Sequence, residues 1–187
     1  MEEKYIRRDD YITKYLKKME VFAKNNNVPI VRKQTLSVIL DLVKNKVEEK
    51  EKNKKGIRIL ELGTAIGYSS INMASIDNNI VIDTIEKSKK MYDIAKDNIE
   101  KVDICEIDVK NRINMYLGDA FKLLQETTED ELGKKVNICN NKYDIVFIDA
   151  NKSKYLDYFN ICKDLLNYDG IIILDNVLFL GYVLRRL

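Results

Sequence analysis

The chain is expected to form a doubly wound, mostly parallel α/β sheet preceded by helices. After Gly56, short aliphatic runs alternate with amphipathic stretches, and near-continuous aliphatics suit parallel strands covered on both faces. Two of these runs also feed directly into oxygen-bearing side chains, YDIVFIDANKSKY from Tyr143 and GIIILDNVL from Gly170. In an open α/β sheet, ligands collect beyond the carboxyl ends of the strands. Asp149, Asp175 and Asn176 are therefore expected to converge on one cation, and their oxygens suit a hard ion such as Mg²⁺ better than zinc.

The elements follow in order. From Tyr11 to Asn26, Ile12, Leu16, Met19, Val21, Phe22 and Ala23 recur at roughly helical spacing, and the stretch from Asn25 to Pro29 breaks the pattern. A second helical pattern runs from Lys33 to Val47 through Leu36, Ile39, Leu40 and Val43, ahead of the polar EEKEKNKKG. The predicted strands are Ile57–Leu62, Ile80–Ile85, Arg112–Leu117, Tyr143–Ile148 and Gly170–Leu174. Helices are predicted between them at Tyr68–Ser75, Ser88–Lys101, Ala120–Thr127 and Ser153–Leu166. Strand and helix alternating in this way imply right-handed crossovers in one sheet. A single domain is expected, with residues 1–55 as a helical segment and 56–187 as the α/β core. Two connections, VDICEIDVKN and TTEDELGKKVNICNNK, are long and polar; they read as surface insertions, with a substrate lid as the alternative.

Composition excludes several classes of function. The 187 residues carry 32 Lys and Arg against 30 Asp and Glu, a formal net charge of +2, so no global field draws the protein to nucleic acid or membrane. Cys105, Cys139 and Cys162 form no CxxC pair, which argues against a disulfide framework and for a reduced, cytoplasmic setting. The N-terminal stretch lacks a continuous apolar core, and no later run is long enough to span a bilayer. The chain has no histidine. This removes Ser-His-Asp triads and histidine zinc sites, and leaves proton chemistry to Lys, Asp, Glu, Tyr or a metal.

Three further segments bear on a ligand. In ILELGTAIGYSS, residues 59–70, a strand ends in Glu61 and opens through Gly63 and Gly67 into a helix. The glycines allow close backbone approach to a ligand, but the spacing is not GxGxxG, which weakens a nicotinamide dehydrogenase reading. The next strand ends at Glu86, at the distance where an acid grips a ribose hydroxyl in nucleotide-binding α/β folds. LGDAF ends the third strand at Asp119, whose side chain either caps the following helix or receives a donor from a ligand base.

Taken in order, ELGTAIGYSS, TIEKS, GDA, YDIVFIDANKSKYLDY and DNVLFLG resemble the class I S-adenosylmethionine-dependent O-methyltransferases of the cation-dependent catechol and caffeoyl-CoA type, a Rossmann-like fold. MEVFAKNNNVPIV is further similar to the bacterial branch that methylates 5-hydroxyuridine in tRNA. The resemblance implies that Val31, Glu61, Gly63 and Ser69 line the methionine side of the cofactor, that Glu86 takes its ribose, and that Asp119 and Ala120 take its adenine. It also implies that Asp149, Asp175 and Asn176 ligate a divalent cation, with Asp149 beside the cofactor as well, and that Lys152 sits beside the reacting hydroxyl.

Such chemistry suits an acceptor with two neighbouring oxygens. The first expectation is tRNA wobble 5-hydroxyuridine, its RNA backbone met by Arg7, Arg8, Lys14, Lys17, Lys18, Arg32 and Lys33. The second is a small catechol-like or caffeoyl-CoA-like molecule. From a different class, a non-catalytic S-adenosylmethionine- or RNA-binding protein is the alternative. It is prompted by a chain that stops at Leu187, where the family's sheet continues into antiparallel strands. A homodimer is expected from the family.

Overall fold

The computed structural model describes residues 8–51, 55–102 and 108–175, with side chains from residue 11 onward. Two helices come first, α1 (Arg8–Asn25) and α2 (Lys33–Glu51). Then follow β1 (Ile57–Leu62), α3 (Tyr68–Ala74), β2 (Ile80–Glu86), α4 (Lys89–Val102), β3 (Ile113–Leu117), α5 (Ala120–Leu123), β4 (Thr128–Glu129), β5 (Lys135–Val136), β6 (Tyr143–Ile148), α6 (Tyr155–Cys162) and β7 (Leu166–Leu174). The main sheet has the order β3–β2–β1–β6–β7 with every neighbouring pair parallel. The chain leaves β1 toward β2 and β3, then returns on the other side of β1 to lay down β6 and β7. The order therefore reverses between β1 and β6, and a crevice opens at their carboxyl ends.

Alternation along the strands sorts the core into two layers. Ile57 and Ile59 of β1, with Ile145 and Phe147 of β6, pack beneath α1 to α4. Leu60 and Leu62, with Val146 and Ile148, face α5, α6 and the β4–β5 segment. Successive strand residues point to opposite faces, so strands buried on both sides are aliphatic throughout. The N-terminal helices join this core through Ile12, Met19, Ala23, Leu36, Ile39 and Val43, all buried.

Most elements lie within a few residues of their predicted bounds, α2 running on to Glu51 and β3 starting at Ile113 after a 3₁₀ turn that takes in Arg112; three larger departures have identifiable reasons. The helix from Ala120 stops at Leu123 rather than Thr127, because Thr127 Oγ1 donates to Asn137 Oδ1 and accepts from Asn140 Nδ2, tying the chain into the second polar connection. The helix predicted over 153–166 is regular only from Tyr155 to Cys162, between 3₁₀ turns at Lys152–Lys154 and Lys163–Leu165. Asn151 Oδ1 accepts the Ser153 amide and hydroxyl and so sets the first turn. The last strand starts at Leu166, not Gly170. Lys46 and Lys50 of α2 pair with Asp169, and Lys50 also reaches Asp144 at the foot of β6, which draws residues 166–169 onto the sheet.

The second polar connection covers a sheet edge. Asp130 Oδ2 accepts the Leu117 amide at 3.1 Å, the Glu131 amide donates to the Leu117 carbonyl at 2.9 Å, and Lys134 Nζ donates to the Met115 carbonyl at 3.0 Å. These groups satisfy the outer edge of β3, which would otherwise present unpaired backbone. Part of the first connection, residues 103–107 with Cys105, lies outside the described residues, as do Arg7, Asn176 and the segment through Leu187.

Candidate active site

The crevice at the reversal of strand order holds a cavity of about 410 Å³, within the size range of small-molecule sites. Each strand that borders it contributes what lies just past its end. Gly63 and Ala65 follow β1, Glu86 ends β2, Gly118, Asp119 and Ala120 follow β3, Asp149 to Lys152 follow β6, and Asp175 follows β7. Pro29 and Ile30, in the link between α1 and α2, form the roof. An adjoining recess is bounded by Val31, Thr64, Tyr68, Ser69 and Asp149.

The turn after β1 is built for close approach. Gly63 has φ +100° and a Cβ there would lie 2.9 Å from the Asp149 carbonyl carbon and nearer still to its oxygen, so only glycine lets β1 and β6 run out side by side. Ala65 also has positive φ, +48°, and its amide donates to Glu86 Oε2 at 2.8 Å. The other Glu86 oxygen accepts the Ser88 amide at 2.7 Å. A carboxylate oxygen has more than one lone-pair site. Glu86 is thus fixed in orientation and still able to accept from a ligand.

Glu61 lies beneath the wall of the crevice, not on it. It is fully buried and accepts hydrogen bonds from Ser69 Oγ at 2.5 Å, from Ser70 Oγ, and from Thr84 Oγ1 at 2.6 Å. Burial raises its pKa, against the opposing effect of those three donors. Among the expected cofactor residues it therefore reaches the recess only through Ser69. Asp119 does cap α5, its Oδ1 accepting the Phe121 amide at 3.0 Å, while Oδ2 pairs with Lys87 Nζ at 3.0 Å. Burial works to raise its pKa, but Lys87, Lys154 and the Phe121 amide outweigh that and hold it below the usual carboxylate range. The cap geometry leaves Asp119 on the cavity wall beside Ala120.

Asp149 and Asp175 sit one residue past adjacent parallel strands. The Asp149 amide donates to the Leu62 carbonyl at 2.9 Å, and the Asp175 amide to the Ile148 carbonyl at 3.1 Å, so each ladder carries its acid to the crevice. Burial, and then the nearby Asp175 charge, push the Asp149 carboxyl up to about 6, with Lys152 opposing. Two mutually repelling carboxylates at one mouth form a donor set that fits a hard cation. Asn176 falls outside the described residues. Among the described residues, no group of three or more His, Cys, Asp or Glu gathers as a metal site, so Asp149 and Asp175 stand as a pair. Lys152 lies on the exposed 3₁₀ turn and also borders the cavity.

Several wall residues had no sequence signal of their own. Pro29 reads only as a helix breaker, and Tyr158 reads as one apolar position of a helix. Lys87 and Lys154 resemble any surface lysine until the fold sets them around Asp119.

Comparison with known proteins bears on the family and the fold. A model of the O-methyltransferase family matches residues 9–186. A caffeoyl-CoA O-methyltransferase of Populus kitakamiensis is 29% identical over 164 residues, covering 86% of this chain and 59% of that protein. A catechol O-methyltransferase of Niastella koreensis is 32% identical over 127 residues, covering 67% of this chain and 52% of that protein. The chain thus spans little more than half the length of these curated relatives. Among solved structures, an O-methyltransferase from Bacillus cereus in complex with SAH superposes with a TM-score of 0.67 at 26% identity, covering 92% of this chain and 70% of that one. With the family model matching residues 9–186 of the 187, this protein belongs to the O-methyltransferase family.

Proposed function

We propose that the crevice binds S-adenosylmethionine and directs its methyl group to a hydroxyl of a small catechol-like or caffeoyl-CoA-like molecule, with a divalent cation at Asp149, Asp175 and Asn176. The observation that carries this reading is the pair of carboxylates, Asp149 and Asp175, lining the same cavity as Glu86 and Asp119. Bound S-adenosylmethionine supplies a methyl group on a positively charged sulfur. A divalent cation, when bound, orients two neighbouring acceptor oxygens and lowers the pKa of the hydroxyl.

The chain's own residues supply alignment and proton handling. Val31, Gly63 and Ser69 bound the methionine end, with Glu61 fixing the Ser69 hydroxyl from below. Glu86 accepts from the ribose hydroxyls, and Asp119 with Ala120 receives the adenine. Lys152 takes the acceptor's proton or steadies its oxyanion at the mouth, a role open to lysine in a chain without histidine. In-line displacement depends on holding nucleophile and methyl in register, which a wall built from five strand ends supports.

The relatives named for caffeoyl-CoA and catechol favour the small acceptor over the tRNA reading. So does the ion pair of Lys33 with Glu20, which neutralises part of the basic cluster expected to meet RNA. Among the described residues no helix is long and apolar enough to cross a membrane. A cytoplasmic homodimer belongs to the same proposal, and light scattering tests the dimer. The decisive assay incubates the protein with labelled S-adenosylmethionine and Mg²⁺ and offers catechol, caffeoyl-CoA or hypomodified tRNA, each with and without chelator. Chelator-sensitive transfer to a small acceptor, lost in Asp175→Asn, is expected. Transfer to tRNA alone would restore the wobble-uridine reading.

A further inference from the structure

We propose that Glu20 of α1 is a latch that fastens the roof of the cofactor cavity to its floor, and so acts as a positioning residue for S-adenosylmethionine. Glu20 Oε1 accepts a hydrogen bond from Tyr68 Oη at 2.6 Å, and Oε2 pairs with Lys33 Nζ at 2.8 Å. Tyr68 is buried and follows directly on the Gly63–Gly67 turn, the floor of the crevice. Lys33 opens α2. Between Glu20 and Lys33 runs the link that carries Pro29, Ile30 and Val31 over the cavity and its recess. One carboxylate therefore clips the link closed at its base and binds it to the turn beneath.

A second tie runs in parallel. Tyr15 Oη of α1 donates to Asn98 Oδ1 at 3.0 Å, and Asn98 Nδ2 donates to the Ile66 carbonyl at 2.9 Å. Ile66 lies in the same turn, next to Ala65 with its positive φ. The turn is thus gripped by Glu86 from the sheet and by two side-chain contacts traceable to α1. Lys33 and then Tyr68 hold the Glu20 carboxyl below its ordinary range, so the Tyr68 bond is charge-assisted and among the stronger of its kind. The helix does not depend on it for its place, since Ile12, Met19 and Ala23 pack into the core independently. Losing the latch should loosen roof and floor without releasing α1.

This inference rests on the crevice being the S-adenosylmethionine site, and the test separates the two claims. Hydrogen exchange is measured on unliganded full-length wild type, Glu20→Gln, Tyr68→Phe and the double variant, followed by calorimetric titration with S-adenosylmethionine. Faster exchange, by about tenfold, is expected at the Ala65 and Gly67 amides with β1 unchanged, consistent with the loss of one charged hydrogen bond. The dissociation constant and the KM for S-adenosylmethionine should rise about five- to tenfold while the KM for the acceptor stays constant. The double variant should be no worse than either single one, since the pair acts as a unit. Unchanged exchange in both single variants, or additive losses in the double, overturns the latch. If wild type fails to bind S-adenosylmethionine, the functional reading falls, and the exchange result alone decides the latch.

Discussion

Gly63→Ala tests whether the close run-out of β1 and β6 is what builds the site. Two costs act at this position. The φ of +100° is one that an L-residue adopts at a penalty of roughly 1–2 kcal/mol. The added Cβ would also lie 2.9 Å from the Asp149 carbonyl carbon and closer to its oxygen, and that neighbour is backbone at the end of a buried strand. It cannot rotate away as a side chain would, so the loop or the Asp149 peptide must shift. Together these place the loss at about 3–5 kcal/mol, in the range reserved for strained or overpacked sites. For a chain of this size that corresponds to a fall in Tm of roughly 6–20 °C. Gly133→Ala supplies the control, because Gly133 has φ +75° with nothing within 4 Å of the added Cβ, and should cost only about 1–2 kcal/mol. Differential scanning calorimetry on both variants gives the comparison. An equal drop in the two, or a wild-type Tm in Gly63→Ala, refutes the steric argument.

Other outcomes follow from burial and charge. Asp83 is fully buried and accepts from Arg58 Nε at 3.1 Å, Tyr143 Oη at 2.8 Å and Asn114 Nδ2 at 2.9 Å. Asp83→Ala leaves all three without their acceptor and should lower stability by about 3–5 kcal/mol in denaturant titration; a loss below about 1 kcal/mol would mean water takes its place. The Asp149 carboxyl, raised to about 6 from an ordinary 3.8, stabilises the fold below pH 3.8 and loses that contribution as pH rises through 6. With chelator present, the Tm of wild type relative to Asp149→Asn should therefore fall between pH 4 and pH 7, and a flat difference contradicts the raised value. Burial pushes the Cys162 thiol up to about 12, so at pH 8 only about one in ten thousand is thiolate. Its labelling by a thiol reagent should be at the unfolding rate, and rapid labelling of native protein would show that the α6 face opens.

Sheet and crevice differed in how far they could be read in advance. β1 and β6 were legible to the residue, because six-residue aliphatic runs bounded by polar segments have few other solutions. The acids at the strand ends were legible for the same reason, as chain direction alone sets them at the carboxyl edge. Asp149 and Asp175 were thus expected together, and the ladder bonds to Leu62 and Ile148 bring them together. Boundaries set by distant partners were not legible. Nothing local in LNYD announces a strand; Lys46 and Lys50, more than a hundred residues earlier, hold it on the sheet. Likewise TTEDELGKKVNICNNK reads as a solvated insertion, and only the open edge of β3 turns Asp130 and Lys134 into its covering.

By itself, then, the sequence determined the parallel α/β layering, the glycine turn and the acids at strand ends, since these depend on periodicity and on residues adjacent in the chain. Tertiary structure decided which of those residues face the cavity. It put Glu61 below the wall and Glu86 on it, although both are glutamates at strand ends, because Ser69, Ser70 and Thr84 close over one while the turn at Ala65 leaves the other open. It also joined Glu20 to Tyr68 across 48 positions of chain. Local pattern records which face of an element is apolar, whereas the partner of a polar group is fixed only when separate elements pack.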